Sequence, residues 1–231
     1  MKSASTVCLP LNHPWDVSPQ EAVALQEQLR AQIVCQDKFG SVNTVGGIDV
    51  GYMDGGKNAC AAIIVLSFPD LKLREISRAS QAVRFPYIPG LLSFREAPVI
   101  LEALSQLSSL PDLLLCDGHG LAHPRRFGLA CHVGLLSGLP SIGVAKKLLT
   151  GAYDPLAAAR GSWQPLIEGG EVIGAALRTQ PGVKPVFVSI GHRLCLQTAI
   201  DYVLRLTIRY RLPDPIHQAH HYASLPSPQA I

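Results

Sequence analysis

The stretch Val45–Phe68, VGGIDVGYMDGGKNACAAIIVLSF, carries two apolar runs joined by a short polar and glycine-rich link. Bounding glycines and β-branched residues make Val45–Met53 one strand, and the nearly all-apolar Ala59–Phe68 a second. Pro69-Asp70 then turns the chain into Leu71–Phe85, an alternating and more polar strand suited to an exposed position. Three successive strands with short links predict an antiparallel meander.

Downstream the hydrophobic period changes. Pro98–Leu107 is helical, Asp112–Cys116 is a short buried strand, Leu129–Leu136 a small-residue helix and Ser141–Ala145 another buried strand. That alternation favours parallel pairing. Gly169-Gly170 marks a hairpin, Val186–Ile190 a strand, and Leu194–Ile208 a helix with Ala199, Ile200, Val203 and Leu204 inward. Upstream, Ser18-Pro19-Gln20-Glu21 is a capping box opening a helix. Prolines and polar residues dominate from Pro213, so a disordered tail is expected from about residue 222. The expected fold is an α/β, ribonuclease-H-like mixed sheet, three antiparallel strands and then parallel ones, with helices on both faces. With no repeat and no low-complexity linker, residues 1–231 are expected to form a single domain.

Composition narrows the class. Apolar residues make up 48% and charged residues 16%, which excludes intrinsic disorder. A net charge of +3 is ordinary and does not by itself name a partner. The six cysteines lie far apart without C-x-x-C spacing, arguing against a disulfide framework or a structural zinc site. Met1–Pro14 lacks a signal-peptide layout, and no apolar run reaches the ~18 residues needed to span a bilayer. A cytoplasmic monomer without membrane contact is expected.

Three acids stand out. Asp49 sits mid-strand among apolar neighbours, where a carboxylate either faces solvent or is paired or bound to a cation. Asp117 ends the run Leu113–Cys116, either as a turn-starting residue or as a functional group at the carboxyl end of a parallel strand. Glu96 is either part of a capping box with Ser93 or, if the helix starts at Pro98, free in the segment before it. Converging, the three would make an all-oxygen site suited to Mg²⁺ or Mn²⁺. Around them, His123-Pro124-Arg125-Arg126 leads into a helix where two guanidiniums and helix amides could meet phosphates, and Lys146-Lys147 follows a strand. Phe85-Pro86-Tyr87-Ile88-Pro89-Gly90 is either a rigid loop packed on its own domain or an aromatic wedge for unstacking bases. His217 and His220, spaced i, i+3, are either an exposed pair or metal ligands.

These residues resemble the bacterial endonuclease V family. The resemblance runs through Gly47-Ile48-Asp49-Val50, Pro86–Gly90 with Ser93-Phe94-Arg95-Glu96, Asp117–Arg126, Ile142–Lys147, Gly191-His192-Arg193 and Tyr210–Pro213. It implies a Mg²⁺-dependent endonuclease (Mn²⁺ substituting) that nicks DNA at the second phosphodiester 3′ to deoxyinosine or another deaminated base. The products would carry 3′-hydroxyl and 5′-phosphate ends. By the same resemblance Asp49, Asp117 and Glu96 hold metal, His220 joins them, and His123 and Lys146 act near the scissile phosphate. By that resemblance Tyr87 is the wedge and Gly90, Leu92, Gly118 and Gly120 lie in the loops of a base pocket; Ile88, Pro89, Arg95, Arg125 and Arg126 are expected as further contacts to the DNA. His220 is aligned less closely, because Ile216-His217 departs from the usual Thr-Arg. A nuclease for flaps, junctions or inosine-containing RNA, and a binding module without catalysis, are the alternatives.

Overall fold

A computed structural model of the chain describes residues 13–225. Most of Met1–Pro14, Cys8 and the tail beyond residue 225 lie outside the described residues. Eight strands form one sheet: β1 (Thr44–Met53), β2 (Asn58–Ser67), β3 (Leu73–Ala82), β4 (Leu113–Cys116), β5 (Ser141–Ala145), β6 (Trp163–Glu168), β7 (Glu171–Leu177) and β8 (Val186–His192). Their order is β3-β2-β1-β4-β5-β8-β7-β6. The meander β1-β2-β3 is antiparallel, and β1, β4 and β5 are mutually parallel in that order. Beyond β5 the sheet returns to antiparallel pairing through β8, β7 and β6, the last two joined at Gly169-Gly170. This mixed sheet is of the ribonuclease-H-like kind.

Helices α1 (Pro19–Arg30), α2 (Leu92–Ser105), α3 (Leu129–Ser137), α4 (Leu196–Arg205) and α5 (Asp214–Ala223) complete the fold. The period of two along β4 sorts the core: Leu113 and Leu115 pack with α4 and α5, while Leu114 and Cys116 pack with α2 and α3. Both faces being covered explains the uninterrupted apolar run. The capping box forms, Ser18 Oγ accepting from Glu21 N while the Glu21 carboxylate accepts from Ser18 N at 2.7 Å. Among the described residues no helix is long and apolar enough to cross a membrane, and Cys35, Cys60, Cys116, Cys131 and Cys195 are free thiols.

Two departures from expectation are large, while β3, β8 and α4 differ from their expected ends by two or three residues. Helix α2 begins at Leu92 rather than Pro98, without a side-chain cap, so the Ser93–Glu96 capping box does not form and Glu96 lies within the helix. Proline inside a helix costs roughly 3 kcal/mol, but the added turns bury Ser93, Phe94, Glu96 and Ala97, with Phe94 alone returning roughly 1.5–3 kcal/mol. Packing wins. The segment after Pro213 is helix α5, and Tyr222 and Ala223, expected in a disordered tail, belong to its last turn. It buries Pro215, Ile216, Ala219 and Ala223 against the sheet, a helical stripe hidden among prolines and histidines.

Burial holds several histidines neutral. His132 on α3 is pushed well below the usual imidazole value, and His123 and His192 are pushed down to about 4, desolvation leading and the adjacent Arg125 and Arg193 adding. Each takes up a proton on unfolding between its native value and about 6.5, so this contribution to stability falls as pH drops through that window. Glu96, pushed up to about 8 chiefly by burial, works the other way: it favours the folded chain as pH falls from 8 toward 4.5. Thermal melts separate the two. The stability advantage of wild type over His192→Gln should shrink from pH 6.5 to pH 4, and a constant difference would rule His192 out as a titrating group.

Candidate active site

The parallel register that sets Ile48 against Cys116 carries Asp49 and Asp117 side by side, with Asp117 N donating to Ile48 O at 3.0 Å. Strand β1 sorts its residues by face. Ile48 packs on α2, and Tyr52 on the same face donates its hydroxyl to Glu96 Oε1 at 2.9 Å. Gly47, Asp49 and Gly51 face α5. A Cβ on Gly47 would overlap the Pro215 carbonyl and sit 2.6 Å from Ile216 N, and one on Gly51 would overlap the Ala223 carbonyl. The two glycines therefore let α5 lie directly on β1. That approach delivers His220, whose Nδ1–H donates to Asp49 Oδ2 at 2.6 Å.

Ligand atoms of Asp49, Asp117 and His220 all lie within 4.8 Å of one another. Asp49 has its pKa raised, first by burial and then by the Asp117 charge, against the easing effect of His220. Two carboxylates held together in a half-buried place are costly unless a cation joins them. The donors present, two carboxylates and an imidazole, suit a divalent cation of the Mg²⁺ or Mn²⁺ type. Lys146 Nζ reaches Asp117 Oδ2 at 2.5 Å. The Lys146 carbonyl accepts from Arg211 Nη2 at 2.7 Å, fixing where that lysine leaves β5.

Glu96 stands apart from this group of three. It projects from α2 on the opposite side of β1, close enough for Asp49 and Asp117 to raise its pKa after burial has done most of the work. Sequence reasoning placed Glu96 but missed Tyr52, its hydrogen-bond donor. The alternation Ile48, Val50, Tyr52 was the available signal.

A cleft of about 220 Å³ is lined by Gln26, Tyr87, Ile88, Pro89, Gly90, Leu92, Ser93, His119, His123, Gly128, Leu129 and Leu149; its link to the acids is His119, two residues after Asp117 and within reach of that carboxylate's charge. Tyr87 lines it and is 70% exposed, so its ring is not packed on its own domain. Gly90 and Leu92 line it as expected. Gly118 and Gly120 are not themselves among its lining residues, although His119 between them is; a Cβ on Gly118 would touch Leu129, and one on Gly120 would overlap the Ile190 carbonyl. His123 lines the cleft with both ring nitrogens engaged, Nε2–H donating to Gly90 O at 3.0 Å and Nδ1 accepting from Arg125 N at 3.1 Å. Proton transfer by His123 would first require breaking one of these.

The arginines expected on phosphates are half-buried and hydrogen-bonded within the chain. Arg125 donates to Gln26 and Gly90, and Arg126 pairs with Glu168 at 2.5 Å and Glu171 at 2.7 Å. Arg95 donates to Phe85 O and Gly56 O and stacks over the Tyr52 ring. Helix α3 starts only after Gly128, too late for its amides to follow directly from Arg126. The His217–His220 pair does not form either, since His217 stacks on Tyr210 at 3.6 Å while His220 turns to Asp49. A larger hollow of about 790 Å³ between the end of β3 and α2 contains neither Tyr87 nor His119 nor His123 in its walls.

Comparison with known proteins bears on what such a site does. The sequence model of the endonuclease V family matches residues 27–221. An endonuclease V from Roseiflexus castenholzii is 54% identical over 213 residues, covering 92% of this chain and 95% of that protein. The crystal structure of endonuclease V from Streptomyces avermitilis superposes with a TM-score of 0.86 at 45% identity, over 95% of this chain and 96% of that one. The Ciona intestinalis endonuclease V, crystallised with a 24mer DNA containing an inosine followed by a ribo-adenosine, gives a TM-score of 0.78 at 32% identity, over 88% of this chain and 95% of that one.

Proposed function

Since this chain belongs to the endonuclease V family, we propose that it is a DNA-repair endonuclease that nicks the second phosphodiester 3′ to deoxyinosine, leaving 3′-hydroxyl and 5′-phosphate ends. The observation that carries the reading is the group Asp49, Asp117 and His220, whose ligand atoms lie within 4.8 Å of one another; the cleft that holds the exposed Tyr87 is tied to it through His119, which feels the Asp117 charge. We place the enzyme in the cytoplasm, acting as a monomer on DNA that contains deaminated bases.

A divalent cation, when bound, supplies charge to stabilise a phosphoryl transition state and lowers the pKa of a bound water. Asp49, Asp117 and His220 provide its donor atoms, and Glu96 completes the acidic set. Lys146 brings a proton-bearing Nζ beside Asp117, its side chain partly exposed and open to a phosphate. Tyr87 fills the gap left by an extruded base, and the cleft between the Gly90 and Gly128 loops receives that base. Extrusion costs a few kcal/mol, least for a mispaired lesion, and this favours deaminated bases.

Labelled duplexes containing deoxyinosine, deoxyuridine, a mismatch or no lesion, with matching RNA, test the reading in Mg²⁺. Preferential nicking of the deoxyinosine strand is expected. Equal cutting of undamaged or flap substrates, or cutting confined to RNA, would overturn it. On the same substrates Tyr87→Ala should lower kcat/KM for deoxyinosine about tenfold, the worth of one aromatic–base stack, with an unchanged Tm because the ring is exposed. Tyr87→Phe should retain most activity.

A further inference from the structure

We propose that Gln26 is a positioning residue for base selection: its buried amide ties the two walls of the cleft together and fixes the shape in which an extruded base is held. The proposal rests on the deoxyinosine reading above. Gln26 lies one residue before the part of the chain that the family model matches.

Gln26 occupies the inward stripe of α1 with Ala22 and Leu29, and it is 1% exposed. On that stripe a leucine would serve packing, whereas an amide must recover its lost hydration. It does so through three bonds. Nε2 donates to Gly90 O and to Phe127 O, both at 3.0 Å, and Oε1 accepts from Arg125 Nε at 2.5 Å. The partners fix the amide's orientation, because carbonyls only accept and a guanidinium only donates.

Those partners are the walls. Gly90 ends the Tyr87 loop, and Phe127 precedes Gly128 on the opposite side; Gly90, Gly128 and Gln26 itself all line the cleft. Gly90 has φ +81°, a conformation that needs support from outside the loop. Its carbonyl receives that support from Gln26, from His123 Nε2 at 3.0 Å and from Arg125 Nη2 at 2.7 Å. His123 and Arg125 reach Gly90 O from the Phe127 segment itself, whereas Gln26 bonds both Gly90 O and Phe127 O from α1 and so pins the two walls to a third element. Arg125 reaches the same network through the Gln26 oxygen. The amide therefore acts on the width of the cleft, remote from the acids.

Two substitutions test this. Gln26→Glu keeps the size and the acceptor for Arg125 but turns an oxygen toward two carbonyls, and Gln26→Leu removes every bond while preserving the apolar stripe. Ala22→Gly, also buried on α1, is the control for simple destabilisation. Under single-turnover conditions with Mg²⁺, both Gln26 variants should raise the half-saturating enzyme concentration on deoxyinosine duplex about tenfold, as expected for orphaned buried groups. Their preference for deoxyinosine over undamaged duplex should fall alongside, while the rate at saturation stays within about threefold. Ala22→Gly should lower Tm and leave the preference intact. Wild-type preference in Gln26→Glu, or a loss no larger than that of Ala22→Gly, would overturn the role of Gln26. A wild-type enzyme indifferent to deoxyinosine would instead refute the substrate reading, and the role of Gln26 would fall with it.

Discussion

Asp117→Ala should lower the single-turnover rate of nicking at deoxyinosine by about a thousandfold or more, since the group it helps to form stabilises several kcal/mol of transition-state charge and each 1.36 kcal/mol is a factor of ten. Three features make Asp117 the sharpest choice. It ends a buried strand whose register with β1 places it against Asp49, its ligand atom lies within 4.8 Å of those of Asp49 and His220, and it holds Lys146 at 2.5 Å. Stability should move the other way. Asp117 raises the pKa of the buried Asp49 carboxyl, so its removal relieves a like-charge repulsion at the cost of a partly exposed ion pair worth little. The expected result is an inactive protein whose Tm, measured without divalent cation, equals or exceeds that of wild type. Near-wild-type nicking by a correctly folded Asp117→Ala would remove the carboxylate group from the mechanism. Loss of activity with a collapsed Tm would mean that Asp117 serves the fold.

Gly47→Ala is expected to damage fold and activity together, for a reason found in no active-site residue. The added methyl would overlap the Pro215 carbonyl and crowd Ile216 N. These are backbone atoms of α5, so relief requires the helix to lift from β1. Overpacking of this kind typically costs about 1–3 kcal/mol. Lifting α5 also withdraws His220 from Asp49, so nicking should fall about tenfold or more beyond what the unfolded fraction explains, a factor of ten for each ~1.4 kcal/mol lost. Chemical denaturation and single-turnover rates on the same preparation check this. A Gly47→Ala protein with wild-type stability would show that α5 can shift freely, and would sever the link drawn here between the β1 glycines and the placement of His220. Gly51 makes the same argument at the other end of α5, where a methyl would meet the Ala223 carbonyl.

Residues whose surroundings are local were legible in the chain. The capping box at Ser18 and Glu21 involves atoms three residues apart, and it forms as its pattern requires. Strands β1, β2, β4 and β5 announce themselves by apolar runs of the right length, and the hairpin by paired glycines. Asp49 and Asp117 were conspicuous because a carboxylate in or at the end of such a run has a cost that demands a partner. Tyr87 was conspicuous because prolines on either side stiffen the segment that displays it.

Misread residues depend on distant partners. Pro98 marks a helix start by local rules, yet the apolar contacts of Phe94 and Ala97 extend α2 back to Leu92. Arg125 and Arg126 stand in a basic tetrapeptide, and their partners within the chain, Gln26, Gly90, Glu168 and Glu171, all lie at least 35 residues away, where no local pattern shows them. The polar, proline-bearing segment after Pro213 hides four inward residues that become a helix only because two glycines on β1 leave room for it. The amino-acid order alone thus determined the sheet's first strands, its parallel centre and the two aspartates, because alternation and the cost of a buried charge are written in neighbouring residues. Which arginines brace the cleft and which amide ties its walls were decided only by tertiary structure, because each depends on groups brought together by packing across dozens of residues.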